Sequence, residues 1–158
     1  MKRGKSASRS EDNGESVPRG TARRTLDKAR FFLRLADYSE RRRDGEGFEC
    51  YVEAAVLFGQ SALEHLKKEM GFLKPGKKKS GRYEEFKNWI ELCERNPLIE
   101  DLERKRNALA HQRPTSTVLV PSDETDILYG PLKEVYEKLP AQLAEIEAII
   151  DECEKRFK

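Results

Sequence analysis

The chain reads as an all-α protein, an up-and-down bundle of four main helices with one short extra element. Three observations carry this. Apolar residues recur at helical spacing over five stretches, and strand-like runs are almost absent, the one candidate being Thr115-Ser116-Thr117-Val118-Leu119-Val120. The composition is wet, with 37% hydrophobic against 38% charged residues. Amphipathic helices tolerate that balance, because each needs an apolar stripe of only about 100°. A length of 158 residues suits one domain with one core.

Taken in order, the first helix is expected from about Thr25 to Arg43, with Phe31, Phe32, Leu35 and Tyr38 as its apolar face. Asp44-Gly45-Glu46-Gly47 is the expected break. The second helix, about Phe48 to Met70, is the most hydrophobic segment and should be the central element. Gly59 lies in its middle, where glycine costs about 1 kcal/mol relative to alanine; close approach of another helix would justify it. A loop from Gly71 to Gly81 contains Pro75-Gly76 and a lysine run. A third helix spans about Arg82 to Arg95, with Tyr83, Phe86, Trp89, Ile90 and Cys93 as its stripe. Asn96-Pro97 starts a fourth, since Asn caps well and Pro is favoured at the first helical position. That helix should end near His111 or Gln112, ahead of Pro114. A short extended segment, about Thr117 to Val120, precedes a last helix from about Pro131 to Phe157, which Pro140 should kink or interrupt.

The net charge of +2 conceals a gradient. Residues 1–24 are basic and residues 122–158 acidic, with local clusters at Arg41-Arg42-Arg43 and Lys77-Lys78-Lys79. Such clusters suit a phosphate backbone, and equally suit plain solvated helix ends. The Ser-, Gly- and charge-rich residues 1–24 are expected to be a disordered basic tail ahead of a helical domain over 25–158. They hold no hydrophobic segment that would make a secretory signal, and no stretch is long and apolar enough for a membrane span. Cys50, Cys93 and Cys153 are an odd number without a CxxC pair, as in reduced thiols of a cytoplasmic protein. With only His65 and His111 to join them, no familiar zinc pattern arises, and neither a metal nor a cofactor is expected.

The fourth helix breaks its own pattern. On a helical wheel Leu98, Ile99, Leu102, Leu109 and Ala110 cluster within roughly 120°, and Arg106 falls inside that arc. Asn107 and His111, one turn apart, stack at the edge of the stripe. An unpaired buried guanidinium costs several kcal/mol, about 3–5 where a partner is missing, so something must receive Arg106. The receiver can be a phosphate, a partner subunit, or a core carboxylate such as Glu53 or Glu64; in the last case the role is structural. His111 can equally be a helix-end histidine meeting the last carbonyls, and His65 reads as structural. Arg104 lies within loose reach of His111 too, and in a chain with 16 Arg that spacing alone says little.

The segment Arg106-Asn107-Ala108-Leu109-Ala110-His111 resembles the RNxxxH form of the motif of the HEPN (higher eukaryotes and prokaryotes nucleotide-binding) family. Residues 53–66, EAAVLFGQSALEHL, are similar to the long second helix of many HEPN proteins. The resemblance covers roughly residues 25–157; the TSTVLV run and the tail lie outside it. It implies a HEPN-like helical bundle and a metal-independent endoribonuclease, of toxin or phage-defence type. It also implies that Arg106, Asn107 and His111 are the active-site residues. It further implies a homodimer in which two motifs line one cleft, with RNA as substrate and a cognate antitoxin, such as a minimal nucleotidyltransferase, as a further partner. The chemistry is sensible for these side chains. Histidine titrates near neutral pH and serves as base or acid. Arginine holds two phosphate oxygens at once, and asparagine orients the imidazole or a non-bridging oxygen. Arg104, Arg41, Arg42, Arg43, Lys77, Lys78 and Lys79 are the expected RNA-guiding cations. The alternative is a non-catalytic module of the same fold that binds nucleic acid, nucleotide or a nucleotidyltransferase.

Overall fold

Asp44 decides where the first hairpin turns. Its Oδ1 accepts a hydrogen bond from the Gly47 amide at 3.0 Å, which caps the second helix at Gly45 rather than at Phe48. The glycines of the expected break are therefore the first turn of that helix. The chain reverses instead over Arg42 and Arg43, and Arg43 takes the left-handed backbone conformation with φ 58°.

A computed structural model of the chain describes residues 17–73, 81–111 and 130–158, with side chains for all of these but Ala110, His111, Gly130 and Pro131. Over these residues the protein is an all-α bundle, as expected. Its helices are α1 (Thr21–Arg41), α2 (Gly45–Glu69), α3 (Gly81–Glu94), α4 (Pro97–His111) and α5 (Gly130–Phe157), with a 3-10 turn at Met70–Leu73. No strand occurs among the described residues. The expected tail up to residue 16, the lysine run 77–79 and the extended segment 117–120 lie outside them.

α2 is the central element, packed against α1, α4 and α5. Phe48, Val52, Val56, Leu63 and Leu66 are fully buried along it. Ile99 and Leu102 of α4 and Leu139, Leu143, Ile146 and Ile150 of α5 complete the core. α3 docks on the end of α5 through rings, with Phe86 and Trp89 at 5.4 and 5.5 Å from Phe157. α5 runs unbroken through Pro140, contrary to the expected interruption, and Pro140 is exposed. Loss of its N–H is tolerated on a solvent-facing side.

Gly59 is explained by a side chain and not by a helix backbone. A Cβ there would meet Leu143 Cδ2 at 2.8 Å and Leu102 Cδ2 at 3.5 Å. The glycine is the socket in which leucines of α4 and α5 meet α2. Gly59→Val should therefore destabilise the fold by about 1–3 kcal/mol, read as a lower urea midpoint; an unchanged midpoint would mean that the socket is not filled.

α1 departs furthest from expectation, at both its start and its face. It begins at Thr21, four residues before the expected start and inside the stretch assigned to the tail. The cause is Glu69 at the end of α2, whose Oε1 accepts from the Gly20 amide at 3.1 Å and Oε2 from the Ala22 amide at 2.6 Å. Of the expected apolar face Phe31, Phe32, Leu35 and Tyr38, only Phe32 packs against the buried core. The buried stripe is Ala22, Leu26, Ala29 and Ala36, whereas Phe31 and Tyr38 are 48% and 52% exposed. Alanines at a seven-residue spacing let α1 approach α2 closely, and that is the most extensive helix contact in the chain. Phe31 and Tyr38 stay outside that contact, while Phe32 stacks on Tyr51 and Phe58 of α2. Arg23 and Arg30 reach across to α5, pairing with Asp151 at 2.7 Å and Glu147 at 2.8 Å.

Candidate functional site

α4 starts as its sequence requires. Asn96 Oδ1 accepts from the Leu98 amide at 2.8 Å, and the Asn96 carbonyl accepts from Ile99 and Glu100 at 2.9 Å each. One turn on, Asp101 ties α4 to α5: it accepts from Gln142 Nε2 at 2.8 Å and from Lys105 Nζ at 2.5 Å. Burial works against its ionisation, but the bonds from Lys105 and Gln142 outweigh it and hold its pKa below the ordinary value. Arg104 is also claimed by Asp101, at 2.9 Å, with its side chain 70% exposed.

Ile99 and Leu102 fill the core side of the helix, and Arg106 follows them on it. Its Nη2 donates to Glu64 Oε2 on α2 at 2.5 Å. The pair is only partly shielded, with the side chains 26% and 46% exposed. The guanidinium is nevertheless incompletely satisfied among the described residues, where its Nε is buried without a hydrogen-bond partner. Gln60, one turn before Glu64, also has a buried Oε1 without a partner. Asn107 is exposed beside this pair, and His111 is the last residue of the helix. Four residues of helix separate them, about 6 Å of rise; the His111 side chain lies outside the described set.

Glu64, one of the two carboxylates that could receive Arg106, is its partner, and Glu53 is not. Glu53 instead lines an apolar hollow of about 160 Å³ between α2, α4 and α5, with Val52, Val56, Leu109, Leu132 and Val135. Burial, and then the neighbouring Glu49, push its pKa up. Its charged lining among the described residues is Glu53 and Lys105, and Lys105 is taken up by Asp101. His65, on the second helix, has its Nδ1 2.8 Å from Thr25 Oγ1.

Among the described residues, the expected RNA contacts Arg41, Arg42 and Arg43 are not gathered around Arg106. Arg41, Arg42 and Arg43 are exposed at the opposite end of the α1–α2 hairpin, roughly 28 Å from Glu64 along α2 at 1.5 Å per residue. Arg42 lies over the Tyr38 ring, 5.1 Å from its centroid. Lys77, Lys78 and Lys79 lie outside the described residues. The three cysteines are free; burial pushes the Cys93 and Cys153 thiols up to about 11 and about 12, so both stay protonated at neutral pH. Among the described residues no three His, Cys, Asp or Glu side chains converge as a metal-binding group, and no helix is long and apolar enough to cross a membrane.

No family model, no curated protein and no solved structure matches the chain.

Proposed function

We propose that the protein is a HEPN-type endoribonuclease that works in the cytoplasm as a homodimer, with Arg106, Asn107 and His111 of each copy forming half of one cleft. The observation that supports this is the state of Arg106. It stands on the core-facing side of α4, its buried Nε has no hydrogen-bond partner among the described residues, and its partner Glu64 is itself half-exposed. A guanidinium bonded to Glu64 through Nη2 and still 26% exposed keeps donor capacity for an anion, and a phosphate takes two donors at once.

In the proposed reaction one His111 removes the proton from a ribose 2′-OH. The 2′-oxygen attacks phosphorus, and Arg106 meets the charge that grows on the non-bridging oxygens. The 5′-oxygen leaves with a proton from the His111 of the second copy. The products are a 2′,3′-cyclic phosphate and a 5′-hydroxyl. Two copies are needed because one imidazole does not readily act as base and acid in a single step. A cognate antitoxin, such as a minimal nucleotidyltransferase, would act by covering this cleft. The full-length protein incubated with total RNA in excess EDTA should yield fragments ending in 2′,3′-cyclic phosphate; intact RNA would overturn the proposal.

One observation favours a second reading. The Arg106–Glu64 pair is closed within a single chain, which is what a purely structural arginine would have. On that reading Glu64→Ala and Arg106→Ala lower stability alike, and neither touches any RNA.

A further inference from the structure

Along α1 the residues Arg24, Lys28, Phe31, Leu35, Tyr38 and Arg42 recur at alternating steps of four and three. They therefore line up as one stripe along the helix. The stripe faces outward: Phe31 and Tyr38 are 48% and 52% exposed, and Arg24, Lys28 and Arg42 are exposed with them. The rings are held in place. Phe31 meets Phe32 edge-on at 5.4 Å, and Phe32 stacks on Phe58 of α2 at 5.5 Å with an interplanar angle of 3°. Lys28 Nζ sits 5.7 Å from the Phe58 centroid, and Arg42 covers Tyr38. A helix that buries alanine and exposes phenylalanine and tyrosine offers its largest apolar side chains to a ligand.

We propose that this stripe is a platform for single-stranded RNA, with unpaired bases stacked on Phe31 and Tyr38 and phosphates held by Arg24, Lys28 and Arg42. The inference rests on the ribonuclease function proposed above and names its substrate class, unpaired RNA. Exposed aromatic rings interleaved with cations are the combination that binds single strands irrespective of base identity. The charge is complementary as well. Of the acids on α1, Asp37 is taken up by the Tyr136 hydroxyl and Glu40 by Lys133 at 2.6 Å, which leaves Asp27 as the exposed one. The start of α2 is acidic, with Glu46, Glu49 and Glu53, so the strand would follow α1 and not cross there. From Arg24 to Arg42 the stripe runs about 27 Å at 1.5 Å per residue.

Charge also argues against a second copy on this face. Paired antiparallel about its midpoint, the stripe would bring Arg24 against Arg42 of the second copy. Paired parallel, each cation would face itself. Either arrangement sets like charges together at both ends, which destabilises a helix pair. A homodimer built through α4 leaves the stripe open.

The test is fluorescence anisotropy of the full-length protein with a labelled 2′-O-methyl oligouridylate of about 12 nucleotides, which lacks the 2′-OH and cannot be cleaved. Wild type should bind it more tightly than it binds a duplex of the same length. Phe31→Ala and Tyr38→Ala should each weaken binding about ten-fold, with helix content and melting temperature close to wild type. Arg24→Glu with Lys28→Glu should lower the slope of log affinity against log salt by about 0.7 per cation removed. Unchanged binding in the ring variants, with His111-dependent cleavage of RNA retained, would overturn the platform and leave the ribonuclease standing. No binding and no cleavage by wild type would overturn both. A ring variant that sediments as a monomer when wild type is a dimer would make the stripe a subunit interface and overturn the platform.

Discussion

Replacing His111 by alanine is expected to lower RNA cleavage by about 100- to 10,000-fold, the range that a positioned acid–base group contributes. The fold should survive, because His111 is the last residue of α4 and follows the helix's core contacts at Ile99 and Leu102. Arg106→Ala should lower cleavage too, through the lost phosphate contact, with an added stability cost from leaving Glu64 unpaired. Glu64 distinguishes a catalytic from a structural arginine. Glu64→Gln removes the charge that competes with phosphate for the Arg106 guanidinium, so cleavage should be retained or rise, most visibly as a lower KM. If cleavage is unchanged in His111→Ala, the catalytic assignment fails. If Glu64→Gln and Arg106→Ala both lose stability and wild type never cleaves RNA, the pair is structural.

Glu69→Ala is expected to destabilise the protein by about 3–5 kcal/mol, the range for removing one partner of a buried, hydrogen-bonded charge pair. That is a large part of the 5–15 kcal/mol available to a typical domain. Glu69 is 4% exposed. It accepts from Gly20 and Ala22 at the head of α1, and from Lys158 Nζ at 2.8 Å. One carboxylate thus joins the start of α1, the end of α2 and the residue after α5. Alanine would leave the buried Ala22 amide without an acceptor and Lys158 without a counter-charge. Urea unfolding at neutral pH reads the loss, and hydrogen exchange should locate it at the first turns of α1.

The same carboxylate carries a pH signature. Burial opposes its ionisation, but the bonds from Lys158, Ala22 and Gly20 win, and its pKa lies below the ordinary 4.5. Since the folded pKa is the lower one, Glu69 contributes its full stabilisation above about pH 4.5 and loses it as the pH falls through the folded value. Wild type should therefore lose stability below about pH 4.5, and Glu69→Gln should lose correspondingly less over that range. Parallel acid-unfolding curves for the two would mean that Glu69 is not charged in the folded protein.

Helix count and most boundaries were legible because their causes are local. Asn96 and Pro97 mark the start of α4 by cap chemistry, and the run from Phe48 to Leu66 has too many apolar residues for anything but a central helix. Two boundaries were not legible. Nothing near Thr21 signals a helix start, because its cap is the carboxylate of Glu69, 47 residues away from Ala22. The glycines at 45 and 47 look like a break, and they are helical because Asp44 caps them. The face of α1 was misread for a different reason. Size ranks the rings of Phe31 and Tyr38 above the alanines of the same helix as its apolar face. Close packing ranks them the other way, since alanines admit a nearer neighbour than rings do.

For the candidate site the division is similar. The sequence by itself determined that an arginine interrupts the apolar stripe of α4 and that Asn107 and His111 lie one turn apart at its margin, because those facts follow from helical period alone. It left the receiver of Arg106 open among a phosphate, a partner subunit and a core carboxylate such as Glu53 or Glu64. Only the tertiary structure decided between the two carboxylates, since that depends on the rotation of α2 against α4. That rotation puts Glu64 2.5 Å from the guanidinium and turns Glu53 into the apolar hollow. It likewise decided that Arg41, Arg42 and Arg43 stand at the far end of the hairpin from Arg106, and that Phe31 and Tyr38 face outward. Helix faces are written in the chain as periods; which face is covered is settled by how closely a neighbour can approach it.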